Sequence, residues 1–203
     1  MIDTLLLQGV WIMAIIAGSF QSRDRARRLP LLTLLVSAFL AACLALQFAD
    51  PEILLVMQRS ASAILAGQWW RMGTALFFQD GWLAGGLSNI AALLVIGGLA
   101  EQVLTRWTWI GIYALGGLAA ETIALAWQPI GAGNSIAICA LAGVLLVAPS
   151  LDRRRWPPDF RHALSGSGAM RVLAASAVLI LLVRQDIHGA GALAGALLAI
   201  MVA

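Results

Sequence analysis

Seven apolar stretches partition this chain, at about 4–20, 29–49, 83–101, 107–127, 135–150, 169–184 and 187–203. At about 1.5 Å of rise per helical residue, the longer ones match the hydrocarbon thickness of a bilayer. No water is available there to satisfy backbone N–H and C=O groups, so each stretch must satisfy its own as a helix. The short alternating pattern of a membrane barrel is missing from the sequence. With 61% hydrophobic and only 11% charged residues, the chain carries more apolar surface than a water-soluble core could hide. The expected fold class is therefore an all-α polytopic membrane protein. Several stretches fall short of the usual span of about 20 residues, which implies partly buried helices or a locally thin bilayer.

Orientation follows from arginine, because lysine is absent and arginines in short loops are retained on the cytoplasmic side. Three loops carry them: Arg23, Arg25, Arg27 and Arg28; Arg106; and Arg153, Arg154 and Arg155 with Arg161. An even number of spans separates each pair of these loops, so all three can be cytoplasmic together. The first stretch then enters from outside, and Asp3 with no basic leader argues against a cleaved signal peptide. The connector 50–81, the loop 128–134 and the turn 185–187 face the other side. An arginine-only basic set points to a bacterial cytoplasmic membrane. The net charge of +3 belongs to loops facing anionic headgroups, and no basic domain outside the membrane exists to bind nucleic acid.

Two residues at the starts of apolar stretches are chemically out of place. Ser135 closes Gly131-Ala132-Gly133-Asn134-Ser135, and His188 heads the last stretch. A hydroxyl becomes a nucleophile beside a base, and neutral imidazole is the side chain that takes a proton near neutral pH. The topology sets both residues at one leaflet, with Asn89 on the same side some way below the surface. Gly191 and Gly195 follow His188 at i+3 and i+7, on one helical face, where they let a neighbouring backbone approach closely. If the serine and the histidine meet, the chain is a hydrolase inside a membrane.

These residues resemble a known family. Gly133-Asn134-Ser135 is similar to the Gly-x-Ser of rhomboid intramembrane serine proteases, and His188-x-x-Gly191-x-x-x-Gly195 to the start of their last core helix. Trp70-Arg71 resembles the Trp-Arg pair of the family's long first loop, and Gly98-Leu99-Ala100-Glu101 the end of its second core helix. The likeness implies a rhomboid-like six-helix core over 29–203, preceded by an extra N-terminal hydrophobic helix and basic loop over 1–28. It also implies a Ser135–His188 dyad without an acid, with Asn89 and the Ser135 backbone N–H as the oxyanion hole, no cofactor, and transmembrane proteins as substrates. Residues outside the spans are too few for a separate globular unit, so substrate recognition belongs in or at the bilayer.

The chain departs from the family at three places. The histidine usual four residues before the oxyanion-hole asparagine is replaced by Gly85; a register one residue earlier sets Ala84 and Ser88 at those positions instead. Ile136 stands where glycine usually follows the serine, and is expected to narrow substrate access. Cys139 stands where an aromatic ring packs against the histidine, and is expected to hold the imidazole less firmly. Two other readings stay open: a non-catalytic rhomboid-like protein that binds membrane helices, and a small transporter with a proton relay through Glu121 and His188.

The remaining polar residues have structural readings. Asp186 lies two positions before His188, a spacing that separates side chains on a helix, so it is expected to be a solvated turn residue. Glu101 and Arg106 suit snorkelling or pairing with loop backbone at a helix end. Glu121 is left between a functional group within the membrane and a residue near the outer surface. The connector 50–81, with Trp69, Trp70 and Arg71, suits an interfacial segment. His162 shares its loop with arginines and is not a catalytic candidate. Cys43 and Cys139 are expected to be buried thiols, and nothing has metal-ligand spacing.

Overall fold

A computed structural model describes residues 2–22, 28–151 and 172–201, with 148–151 as backbone only. His162 and most of the loop arginines lie outside these residues. The first helix, α1 (Ile2–Ser22), is followed by α2 (Leu31–Ala49). The connector holds three short helices, α3 (Glu52–Met57), α4 (Ala61–Leu65) and α5 (Arg71–Thr74), and a strand β1 (Arg59–Ser60). Then come α6 (Trp82–Ala92), which runs through a π-helical turn (Leu93–Gly97) into α7 (Gly98–Val103), and α8 (Arg106–Trp127). After strand β2 (Ile130–Gly131) come α9 (Ser135–Leu151), α10 (Val172–Val183) and α11 (Ile187–Met201).

Among the described residues, α1, α2, the continuous helix Trp82–Val103 and α8 are long and apolar enough to cross a bilayer, and α9, α10 and α11 are shorter apolar helices. The protein is a polytopic helical membrane protein. α9 is its central helix, packed by α1, α7, α8 and α11. Its residues Ile136 to Ala142 are at most 1% exposed, as befits a helix that is apolar on every side. Lipid tails are as apolar as leucine, so burial alone does not hold such helices together; close packing and interhelical hydrogen bonds must.

Three such bonds tie the end of Trp82–Val103 to the start of α2. Pro30 precedes α2 and offers no side-chain cap. The Glu101 carboxylate supplies one from the neighbouring helix, accepting the N–H groups of Leu32 at 3.0 Å and Thr33 at 2.9 Å and the Thr33 hydroxyl at 3.0 Å. An anion there also suits the positive end of the α2 dipole. Next to it, Gln102 and the Arg28 backbone exchange two hydrogen bonds, of 2.9 and 2.7 Å. The π turn is stabilised from α8, where the Trp109 indole N–H donates to the Gly97 carbonyl at 3.0 Å. The start of α8 itself is capped by the Thr105 hydroxyl, which accepts from the Thr108 N–H.

The two-residue β1–β2 ladder, pairing Arg59 with Gly131 and Ser60 with Ile130, is a local departure from an all-α reading. It is too short to impose a period-two pattern on the sequence. Glu101→Ala strips the cap from α2 and leaves buried N–H groups unpaired. It should lower the unfolding free energy in detergent by about 2 kcal/mol, seen as a reduced thermal midpoint; an unchanged midpoint would mean that water caps α2 as well as the carboxylate does.

Candidate functional site

Ser135 is the first residue of α9, and the loop before it is fastened to the connector nearly residue by residue. The Arg59 guanidinium donates to the Gln128 carbonyl at 2.9 Å, and the Ala61 N–H to the Pro129 carbonyl at 2.9 Å. The ladder holds Ile130 and Gly131. Asp80 takes Ala132 at both ends: its carboxylate accepts the Ala132 N–H at 3.0 Å, and its own N–H donates to the Ala132 carbonyl at 3.2 Å. The Gly133 N–H then donates to the Ala75 carbonyl at 2.8 Å. Gly133 has φ +154°, a region that favours glycine. Arg59 is itself fixed by a buried ion pair with Glu121 of α8, at 2.5 Å.

His188 sits one residue into α11, and its surroundings follow from how α10 ends. Gln185 takes a left-handed φ of +57°. Its N–H returns to the Leu182 carbonyl, and the Asp186 N–H to the Leu181 carbonyl at 2.8 Å, the pattern of a Schellman turn. Asp186 thus closes the turn that ends α10 and is the N-cap of α11. Its Oδ1 accepts the His188 backbone N–H at 2.9 Å and contacts the His188 ring at Nδ1, 2.6 Å away. The i, i+2 rule for helices therefore does not apply. Asp186 is mostly buried and bonded to the histidine, not the solvated turn residue expected from spacing. Burial pushes its carboxyl up, but the bonds and charge of His188 and the nearby Arg184 outweigh that and hold it below the usual carboxylate range.

The two helix starts meet. His188 Nε2 lies 2.9 Å from Ser135 Oγ. α9 and α11 run parallel with their backbones in contact: a methyl group added at Gly191 would overlap the Ile136 carbonyl, one at Gly195 the Ala140 carbonyl, and one at Gly143 the Ala192 carbonyl.

A buried carboxamide network adjoins the pair. Gln47 of α2 grips Gln79 by its backbone, accepting the Gln79 N–H at 3.0 Å and donating to its carbonyl at 2.7 Å. The Gln79 side chain then accepts from Asn89 Nδ2 at 2.8 Å and donates to Asn134 Oδ1 at 3.0 Å. A methyl group on Gly133 would lie 3.6 Å from both Gln79 Oε1 and Ser135 Oγ, and 3.7 Å from Asn89 Nδ2. Three polar groups therefore converge on the space above that glycine. Asn89 is the residue turned this way, while Ser88 is exposed.

A family model described as a Rhomboid domain matches residues 66–203. The chain belongs to the rhomboid family. No curated protein and no solved structure matches it, so the assignment rests on the family model and on the residues themselves.

Within this rhomboid, Gly85 carries no side chain, and a methyl group there would meet nothing within 4 Å. The neighbour of Asn89 is Gln79, ten residues earlier in sequence. Ile136 does not line an entrance: it is 1% exposed, in a buried cluster with Leu76, Ala120 and Ile187. Cys139 is fully buried against Gly191, and the ring nitrogen of His188 is held by Asp186. Arg71 of the Trp-Arg pair donates to the carbonyls of Leu55 and Gln58, at 2.8 and 3.0 Å, and so braces the connector, while Trp70 is exposed. Glu121 and His188 have separate partners, Arg59 for one and Asp186 with Ser135 for the other.

The residues that sequence reasoning missed here are Gln47, Gln79, Arg59 and Asp80; one glutamine inside a long apolar stretch and another shortly before the next were the available signal. Gln79→Ala leaves the Asn134 carbonyl oxygen and an Asn89 N–H without their partner. It should cost about 1–3 kcal/mol of stability, the penalty of stranding buried polar groups, measured by thermal unfolding in detergent. A loss below a few tenths of a kcal/mol would mean that the network is not a structural link.

Proposed function

We propose that this rhomboid is an intramembrane serine endopeptidase that cleaves transmembrane or juxtamembrane segments of membrane proteins. The observation that carries the reading is the 2.9 Å hydrogen bond between His188 Nε2 and Ser135 Oγ, made across 53 residues of sequence. On this reading a six-helix core is assigned to 29–203, with α2, the continuous α6–α7 helix, α8, α9, α10 and α11 as its helices and 1–28 as an added hydrophobic helix and basic loop. The arginine loops face the cytoplasm, and the dyad lies toward the opposite surface.

Ser135 Oγ attacks the peptide carbonyl carbon while His188 Nε2 takes its proton. The tetrahedral oxyanion occupies the space above Gly133, accepting hydrogen bonds from Asn89 Nδ2–H and from the Ser135 N–H, one of the unpaired donors of the first helical turn. Collapse expels the amine, which leaves with the proton held on His188. Water, deprotonated by the same imidazole, then attacks the acyl-enzyme and frees the serine. Gly133 matters sterically here, because any side chain on it would fill the oxyanion space.

Separate Ser135→Ala and His188→Ala variants should each reduce cleavage of a single-span reporter in proteoliposomes to background. A fluorophosphonate should label the wild-type protein at Ser135 only. Unchanged cleavage in either variant would reject the dyad. Absence of labelling, with reporter helices still co-purifying, would instead identify a helix-binding rhomboid without protease activity.

A further inference from the structure

The resemblance implies a dyad with no acid, yet a carboxylate lies against the far nitrogen of this imidazole. We propose, building on the protease reading, that Asp186 is a positioning residue that extends the Ser135–His188 pair into a three-residue hydrogen-bonded chain.

The argument begins with the turn. The left-handed Gln185 and the bond from the Asp186 N–H to the Leu181 carbonyl fix where the Asp186 backbone points. The N-cap bond to the His188 N–H at 2.9 Å then fixes its side chain, and the same oxygen is left 2.6 Å from Nδ1. The contact is thus preorganised by two independent backbone constraints. An ionised carboxylate has acceptor sites only, so the ring nitrogen facing it must carry the hydrogen. Nε2 then presents its lone pair to the Ser135 hydroxyl at 2.9 Å, the tautomer that a general base requires. When Nε2 takes the serine proton, the carboxylate stabilises the resulting imidazolium without itself accepting a proton.

The competing partner is already engaged. Arg184 lies two residues before Asp186 and is ion-paired with Asp3 of α1. This leaves the Asp186 carboxylate to the imidazole. Of the other ionisable side chains on helices packed near the turn, Asp3 of α1 carries the same charge as Asp186 and is itself held by Arg184, and the Cys139 thiol of α9 is buried. The His188 and Asp186 side chains retain only 22% and 14% exposure, so the contact is largely shielded from water. Cys139 is small, and the carboxylate orients the imidazole from the turn, where no aromatic ring is needed on α9.

The test uses the full chain in detergent or proteoliposomes, with Asp186→Asn and Asp186→Ser as variants. Asparagine and serine cap helices about as well as aspartate, so thermal midpoints should stay within a few degrees while the carboxylate is lost. In both variants, kcat for a single-span reporter should fall by about 10² or more, approaching the ~10⁴-fold loss seen when the acid of a Ser-His-Asp triad is neutralised, with KM changed less than about twofold because ground-state binding is untouched.

Nitrogen-15 spectra provide a readout that needs no activity. The chain has two histidines, and a His162→Gln background leaves one imidazole signal. Wild type should show the Nδ1–H form, and Asp186→Asn or Asp186→Ser should shift it toward Nε2–H. If wild type cleaves and both variants retain kcat within about threefold, Asp186 is a cap alone and the inference fails. If wild type neither cleaves nor labels, the protease reading fails, and the tautomer shift still decides the role of Asp186. An Nε2–H tautomer in wild type overturns it outright.

Discussion

The backbone contact between α9 and α11 is the constraint on which the rest depends. In lipid, two apolar helices gain nothing from hiding from each other, so their association must come from atoms brought into van der Waals range. Glycines at 143, 191 and 195 take away the side chains that would hold these backbones apart. The contacts pair Ile136 with Gly191 and Ala140 with Gly195, which makes the helices parallel and puts both N-termini at one end. Two sets of unpaired N–H groups and two positive dipole ends therefore lie side by side. Such an end favours anionic charge, and Asp186 already uses part of it.

The helix pair fixes the two reactive side chains, but not the loop that leads into Ser135. That loop crosses from α8 to α9 and would be free at a membrane surface without its bonds to the connector. The fastening is polar because the loop's own backbone groups must be satisfied. It has one expensive member, the buried Arg59–Glu121 pair. A charged pair shielded this well is weak evidence for stability, since desolvation offsets much of its Coulomb attraction. What it gives is direction: the guanidinium, held by Glu121, is aimed at the Gln128 carbonyl. Removing either partner alone leaves the other charge buried.

How much of this was legible in the sequence depended on range. Helix starts at Ser135 and just before His188 were readable because apolar stretches begin there, and the glycines that follow His188 were readable from their spacing on one helical face. The seven apolar stretches agree with the seven apolar helices found among the described residues to within a few residues at their starts. The partners of Glu121 and Asn89 were not readable: Arg59 lies 62 residues from Glu121, and the Gln79 side chain reaches Asn89 from a segment without periodicity. Asp186 is the instructive failure. The i, i+2 separation holds inside a helix, whereas Asp186 stands at its edge, where N-cap geometry turns the side chain back over the first turn. Aspartate immediately before an apolar helix is itself a capping signal, and it was the one to follow.

The departures from the family pattern then read as a connected set. Two helix-face supports that the resemblance leads one to expect, a histidine at Gly85 and an aromatic ring at Cys139, are missing. In both places a polar group from a loop or turn lies against the residue concerned: Gln79 on the Asn89 carboxamide and Asp186 on the His188 imidazole. Each of these groups is itself fixed by backbone bonds, Gln79 through Gln47 and Asp186 through the turn that ends α10. A side chain on a helix face inherits its position from the helix, whereas one on a turn keeps it only while the turn's own hydrogen bonds hold. The geometry around Ser135 in this rhomboid therefore depends on loop hydrogen bonds as much as on helix packing, and loosening the connector or the α10–α11 turn disturbs it without moving a single helix.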